Sequence, residues 1–161
     1  MPIGRQTGMM VELRNRLLAA SATLIAVAAS CAGPPSLVAD ESEVSQVLVE
    51  FGSRLQLVSV QSPDAVREMM AQYSGLASPS LLEQWVADPL EAPGRTVSSP
   101  WPDRIEVNSI TQLSETAYSV TGNIVLLTSS EVVGGGAAGL VPIRANIERI
   151  EDRWLITVFE Q

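Results

Sequence analysis

Residues 91–106 concentrate more reactive side chains than any other stretch of this chain: Arg95, Ser98, Ser99, Trp101, Asp103 and Arg104. Four helix-breaking residues, Pro93, Gly94, Pro100 and Pro102, are threaded among them. A rigid loop that presents an arginine fork, a tryptophan face and hydroxyls has the chemistry to hold an anionic or glycan-like ligand. The same residues also suit a stiff crossing between two elements, with Trp101 filling the core and Asp103 paired to Arg104 or Arg95. Composition restricts what else the chain can do. All ten basic residues are arginine, and there is neither lysine nor histidine. That excludes Ser-His-Asp and Cys-His catalysis, histidine-metal sites, Schiff bases and a phosphate loop ending in lysine. The run Gly134–Gly136 is therefore read as a hairpin tip and not as a nucleotide loop. No cofactor and no metal are expected.

The elements that position these groups begin beyond residue 31. Arg5, Arg14 and Arg16 precede residues 17–30 (LLAASATLIAVAAS), which are apolar or small and uncharged. A basic stretch followed by a short apolar one is an export signal, too short for a membrane span of about 20 residues. The sequence Ala28-Ala29-Ser30-Cys31 resembles the end of a bacterial lipoprotein signal peptide. The resemblance implies residues 1–31 as signal peptide, acylation (palmitate) at Cys31, and a domain tethered to the extracytoplasmic face of the cell membrane. Release as a secreted protein and an uncleaved anchor remain open. Beyond Cys31 there is no cysteine, and seven arginines face seventeen acids, a net charge of −10. Such a balance argues against nucleic acid, which is gripped by neutralising phosphates.

Residues 32–40 read as a tether, and Asp40 with Glu43 as a capping pair. Val44, Val47, Leu48, Phe51, Leu55 and Val58 share one face of a helix over 41–60. Ser62-Pro63-Asp64 and Ser78-Pro79-Ser80 each open a shorter helix, over 63–74 and 79–88. Residues 89–103 read as a long loop. Alternation then predicts four strands, over 104–110, 117–128, 140–150 and 153–160, with 130–139 as a flexible hairpin tip. Trp85 and Trp154 are read as core anchors.

Three helices followed by hairpin-linked strands, closing on Arg153-Trp154-Leu155-Ile156-Thr157-Val158-Phe159, resemble the nuclear transport factor 2-like (cystatin-like) fold. Residues 73–107 also resemble a group of bacterial lipoproteins of unassigned function. The resemblance implies an α+β domain over 41–161, with three N-terminal helices packed on a curved four-stranded antiparallel sheet and a cavity between them. That fold hosts dehydratases, isomerases and non-catalytic modules alike. Lyase or isomerase chemistry in such a cavity would need Tyr73, Tyr118 or Asp88 aimed inward. The expected ligand-binding set is Arg95, Trp101, Asp103, Arg104 and Tyr73. The expected function is a non-catalytic binding or assembly module on the membrane, partnered by an envelope protein or, alternatively, by a small molecule.

Overall fold

The computed structural model describes residues 37–161. The order is α1 (Leu37–Arg54), α2 (Ala65–Tyr73), α3 (Pro79–Ala87), β1 (Trp101–Ser114), β2 (Ala117–Leu127), α4 (Ser129–Gly134), β3 (Gly139–Ile150) and β4 (Arg153–Glu160). The strands form one antiparallel sheet in the order β1-β2-β3-β4. This is an α+β arrangement, helices followed by a four-stranded antiparallel sheet, as the resemblance implies. The expected signal peptide and Cys31 lie outside the described residues, as does the tether up to residue 36. No helix of the described residues is long and apolar enough to cross a membrane.

Helix α1 buries Val44, Leu48 and Phe51, and the turn after it Leu55, spaced along one helical face, and leaves Glu41, Glu43 and Glu50 outside. Its bounds differ from the expected 41–60. The helix starts at Leu37, so the last four residues of the expected tether are helical, and it ends at Arg54 in a 3-10 turn, Leu55–Leu57. Asp40 does not cap this helix. It sits inside the first turns, only 6 % exposed, and accepts a hydrogen bond from Arg149 Nη2 on β3 at 3.1 Å. A partner 109 residues away outweighs a local capping role.

Of the two Ser-Pro starts, only Ser78 caps its helix; the expected start at residue 63 moves to Ala65, with Asp64 at the cap position making no side-chain cap bond. Ser62 Oγ accepts from the Asp64 N–H, and α2 begins one residue further on. Ser78 Oγ accepts from the Leu81 N–H with Pro79 in the first turn. Between these helices, residues 76–78 run along the free edge of β4. The Ile156 N–H donates to Leu76 O, and the Ser78 N–H donates to Ile156 O, both at 2.8 Å.

The sheet is longer and more irregular than simple alternation implies. β1 begins at Trp101, within the expected loop, and its pairing with β2 shifts register three times, around Asp103, Asn108 and Leu113. Each added residue bends the strand and increases its twist, which curves the sheet over the helices. β4 carries one more shift at Thr157. That shift moves Val158 to the outside, where it is 37 % exposed, and turns Phe159 inward opposite Ala145. The expected flexible tip at 130–139 instead opens with helix α4. Thr128 and Glu131 form a reciprocal capping box there, and Thr128 holds the Glu131 carboxyl below its usual range.

The core centres on four aromatic rings. Phe51 lies 4.7 Å from Tyr73, 6.0 Å from Trp85 and 5.3 Å from Phe159, centroid to centroid. Leu48, Met69, Val120, Ile147 and Ile156 close around them with no exposed surface. The space between helices and sheet, where the resemblance implied a cavity, is thus occupied by side chains.

Candidate functional site

The five residues expected to bind a ligand do not converge. Tyr73 is fully buried among the core rings, and its hydroxyl donates to Pro93 O at 2.6 Å. Burial, reinforced by the charge of Glu68, pushes its phenol well above the ordinary tyrosine value. It is a clip that fastens the 89–100 crossing to the core. Arg95 is held by its backbone: its N–H donates to Val58 O at 2.7 Å, and Val60 N–H donates to Arg95 O. Its side chain borders a shallow recess of about 300 Å³ with Ser59, Gln61 and Ser62. Trp101 pairs directly with Leu127, and opposed residues project to the same side of a sheet. That side is the outer face, so Trp101 is half-buried there and does not fill the core. Arg104, paired with Val125, shares the outer face and spends its donors on Asp103 (2.9 Å) and Glu106 (2.6 Å). Of the sequence alternatives for Asp103, the pairing with Arg104 is the one present. Asp88 accepts from the Leu90 N–H as a turn cap and is exposed.

A groove of about 580 Å³ lies where α2, α3 and β4 meet. Met70 comes from the last turn of α2, Leu82 and Val86 from one face of α3, and Leu155 from β4. Ala77 and Gly75 come from the α2–α3 connection. Gly75 has φ +86°, a left-handed conformation that lets the chain leave α2 abruptly and run down to β4. The walls are aliphatic; Glu83 and Arg153 stand among them. Neither of these charges enters an ion pair among the described residues. A volume of this size is that of a ligand or anchor-residue pocket.

Next to the groove, and sharing Gly75 and Arg153 with it, lies a shelf of about 290 Å³ bordered by Glu43, Glu50, Asp152 and Trp154. Glu50 is paired with Arg54 on the next turn of α1. Asp152 sits at φ +61° in the tight β3–β4 turn. No sequence motif marks the groove or the shelf. Their residues come from separate elements of the chain.

A second constellation is polar and partly buried. Asp40 pairs with Arg149, whose guanidinium carbon lies 4.8 Å above the Trp154 ring, and Trp154 meets Tyr118 edge-on at 5.3 Å. Tyr118 Oη, Trp154 Nε1 and Arg149 Nε have no hydrogen-bond partner among the described residues. Burial first, then the charges of Asp40 and Glu41, push the Tyr118 phenol up, against the opposing pull of Arg149.

The two buried tyrosines therefore respond oppositely to loss of the hydroxyl. Tyr73→Phe strands Pro93 O and destabilises the domain by about 1–2 kcal/mol. Tyr118→Phe removes an unpartnered polar atom and leaves stability unchanged or raised by up to about 1 kcal/mol. Urea denaturation of both variants checks the pair; a loss at Tyr118 equal to that at Tyr73 would show a bound partner at Tyr118 Oη.

No protein-family model matches the chain, and no curated protein does either. Solved structures do. A nuclear transport factor 2-like protein of unknown function from Shewanella oneidensis MR-1 is 16% identical, with 74% of this chain and 96% of that one covered and a TM-score of 0.41. The intermembrane-space region of the chloroplast protein ARC6 is also 16% identical, with 79% and 97% covered and a TM-score of 0.41. A protein of unknown function from Bacteroides thetaiotaomicron VPI-5482 is 13% identical, with 77% and 96% covered and a TM-score of 0.38.

Proposed function

We propose that the chain is an exported, lipid-anchored binding or assembly module, without catalytic activity, that works on the extracytoplasmic face of the membrane through the α2–α3–β4 groove. The observation that carries this reading is the groove itself: an aliphatic concavity of about 580 Å³ that no side chain of the described residues fills. The groups that could have served an enzyme are committed to structure. Tyr73 fastens Pro93, Asp88 caps a turn, and Tyr118 lies inside the core. The location rests on the basic stretch, the apolar residues 17–30 and Cys31. A groove of this volume also suits a small apolar molecule, which is the second reading.

Photo-cross-linking in cells separates them. A benzoylphenylalanine placed at Met70, which is 46 % exposed on the groove wall, should trap an adduct of protein size. Val86→Glu, which puts a charge on the opposite wall, should abolish it. The same label at Thr111, on the exposed part of β1, should trap nothing. The protein recovered from the membrane fraction should begin at an acylated Cys31 by intact mass. An adduct of lipid or metabolite size selects the second reading. Absence of any adduct at Met70, or equal trapping at Thr111, removes the groove as the working surface.

A further inference from the structure

We infer that the occupant of the groove is a protein segment that carries an aliphatic anchor side chain next to lysines or arginines. The inference rests on the binding-module reading above and names the partner chemistry of the same groove. Two adjoining features carry it. The groove walls are aliphatic and contain no aromatic ring, so they suit a leucine, isoleucine or methionine side chain and offer nothing for a sugar or base to stack on. The neighbouring shelf, continuous with the groove through Gly75 and Arg153, is acidic. Glu43, Glu83 and Asp152 around the two depressions have no ion-pair partner among the described residues. Arg153 is the one positive charge bordering both.

Residues 37–161 also carry a net charge of −10, with seven arginines against seventeen acids. That field draws a basic segment in and sets the order of events: charge steers, and the aliphatic anchor holds. It also opposes a second copy of this chain, which brings another net charge of −10 to the contact. An anionic lipid head would meet the same repulsion.

The probe is a fluorescein-labelled amphipathic peptide of leucine and lysine, read by fluorescence anisotropy on residues 32–161 and on the full chain in detergent. Binding should weaken steeply as salt rises. Met70→Glu should reduce affinity about tenfold or more, as should the triple variant Glu43→Gln, Glu83→Gln, Asp152→Asn. The last substitution suits its backbone, since asparagine tolerates a positive φ. Arg153→Gln should raise affinity about threefold, a gain that no loss of folding can produce. The double variant Glu106→Gln, Glu160→Gln, whose acids border neither depression, should lower affinity less than twofold, the small loss owed to the reduced overall charge.

Equal binding by a lysine peptide without leucine would overturn the inference, and so would equal weakening by the Glu106/Glu160 variant; both would mean unspecific charge attraction. Peptide competition on the Met70 cross-link separates this claim from the reading beneath it. An adduct that survives saturating peptide, or one with twice the mass of the chain, shows the groove in use by other chemistry and sinks only the present inference. No adduct at all sinks both.

Discussion

Phe51→Ala is expected to lower stability by about 4 kcal/mol, within the range for deleting a fully buried aromatic ring. Phe51 is fully buried and touches three other rings, from α2, α3 and β4, so no single neighbour can collapse into the space it leaves. Part of the loss is transfer free energy and part is the cavity. In a domain of this size about 1 kcal/mol corresponds to roughly 3–6 °C in melting temperature. The variant should therefore melt well over 10 °C lower, or fail to fold at 37 °C. Phe51→Leu, which keeps most of the volume, should recover more than half of the loss. A thermal melt of the three proteins checks the series. If Phe51→Ala costs less than about 1 kcal/mol, the four rings do not pack as described.

The next residue gives the second large effect, with a sign opposite to the usual one. Glycine to alanine inside a helix ordinarily stabilises by about 1 kcal/mol, because alanine restricts the unfolded chain and favours the helix. At Gly52 a Cβ would lie 2.5 Å from the Ile105 backbone nitrogen and 2.9 Å from the Ile105 Cβ. Those atoms belong to β1, so α1 and the sheet approach each other here with no room for a methyl group. Gly52→Ala should cost about 2–3 kcal/mol through overpacking, and Gly52→Val more. Urea denaturation should show a lower midpoint at an unchanged slope, the mark of lost stability without a changed unfolded state. Stabilisation by Gly52→Ala would mean that α1 does not lie against β1 at this point.

Much of this arrangement can be read from residue periodicity. Val44, Leu48 and Phe51 mark the buried stripe of α1, and Tyr118, Val120 and Ile124 the buried face of β2, because burial on one side leaves a period of 3.6 or 2 in the sequence. Periodicity fails where a residue is inserted. The register shift at Thr157 flips the end of β4, so Phe159 joins the aromatic cluster while Val158 faces out. Strand β1 reaches back to Trp101 through three such shifts, and the pairing with Leu127 puts that ring on the outer face. Asp40 looked like a cap because capping is local; its partner Arg149 lies on β3, which only the folded chain brings close. Helix α4 was hidden by the glycines that follow it, although Thr128 and Glu131 already had capping-box spacing.

The site was less legible than the fold, for a physical reason. Residues 91–106 attracted notice because arginine, tryptophan and proline are conspicuous there, yet folding turns Tyr73 inward, Trp101 and Arg104 to the outer sheet face, and Arg95 toward Ser59. The groove is built from ordinary residues such as Met70, Ala77, Leu82, Val86 and Leu155, which no spacing rule gathers. Its shape comes from the left-handed exit at Gly75 and from two backbone hydrogen bonds to Ile156.

Those two hydrogen bonds have a second effect. A four-stranded open sheet has two rims where a foreign chain could add itself strand by strand and spread into fibres. On β4 the Leu76–Ser78 segment already consumes the N–H and carbonyl of Ile156. On β1 three irregularities break the even ladder that an incoming strand would need, and Arg104 and Glu106 add charge. Each rim thus offers an incoming strand an interrupted backbone ladder, on β4 at Ile156 and on β1 at its three irregularities.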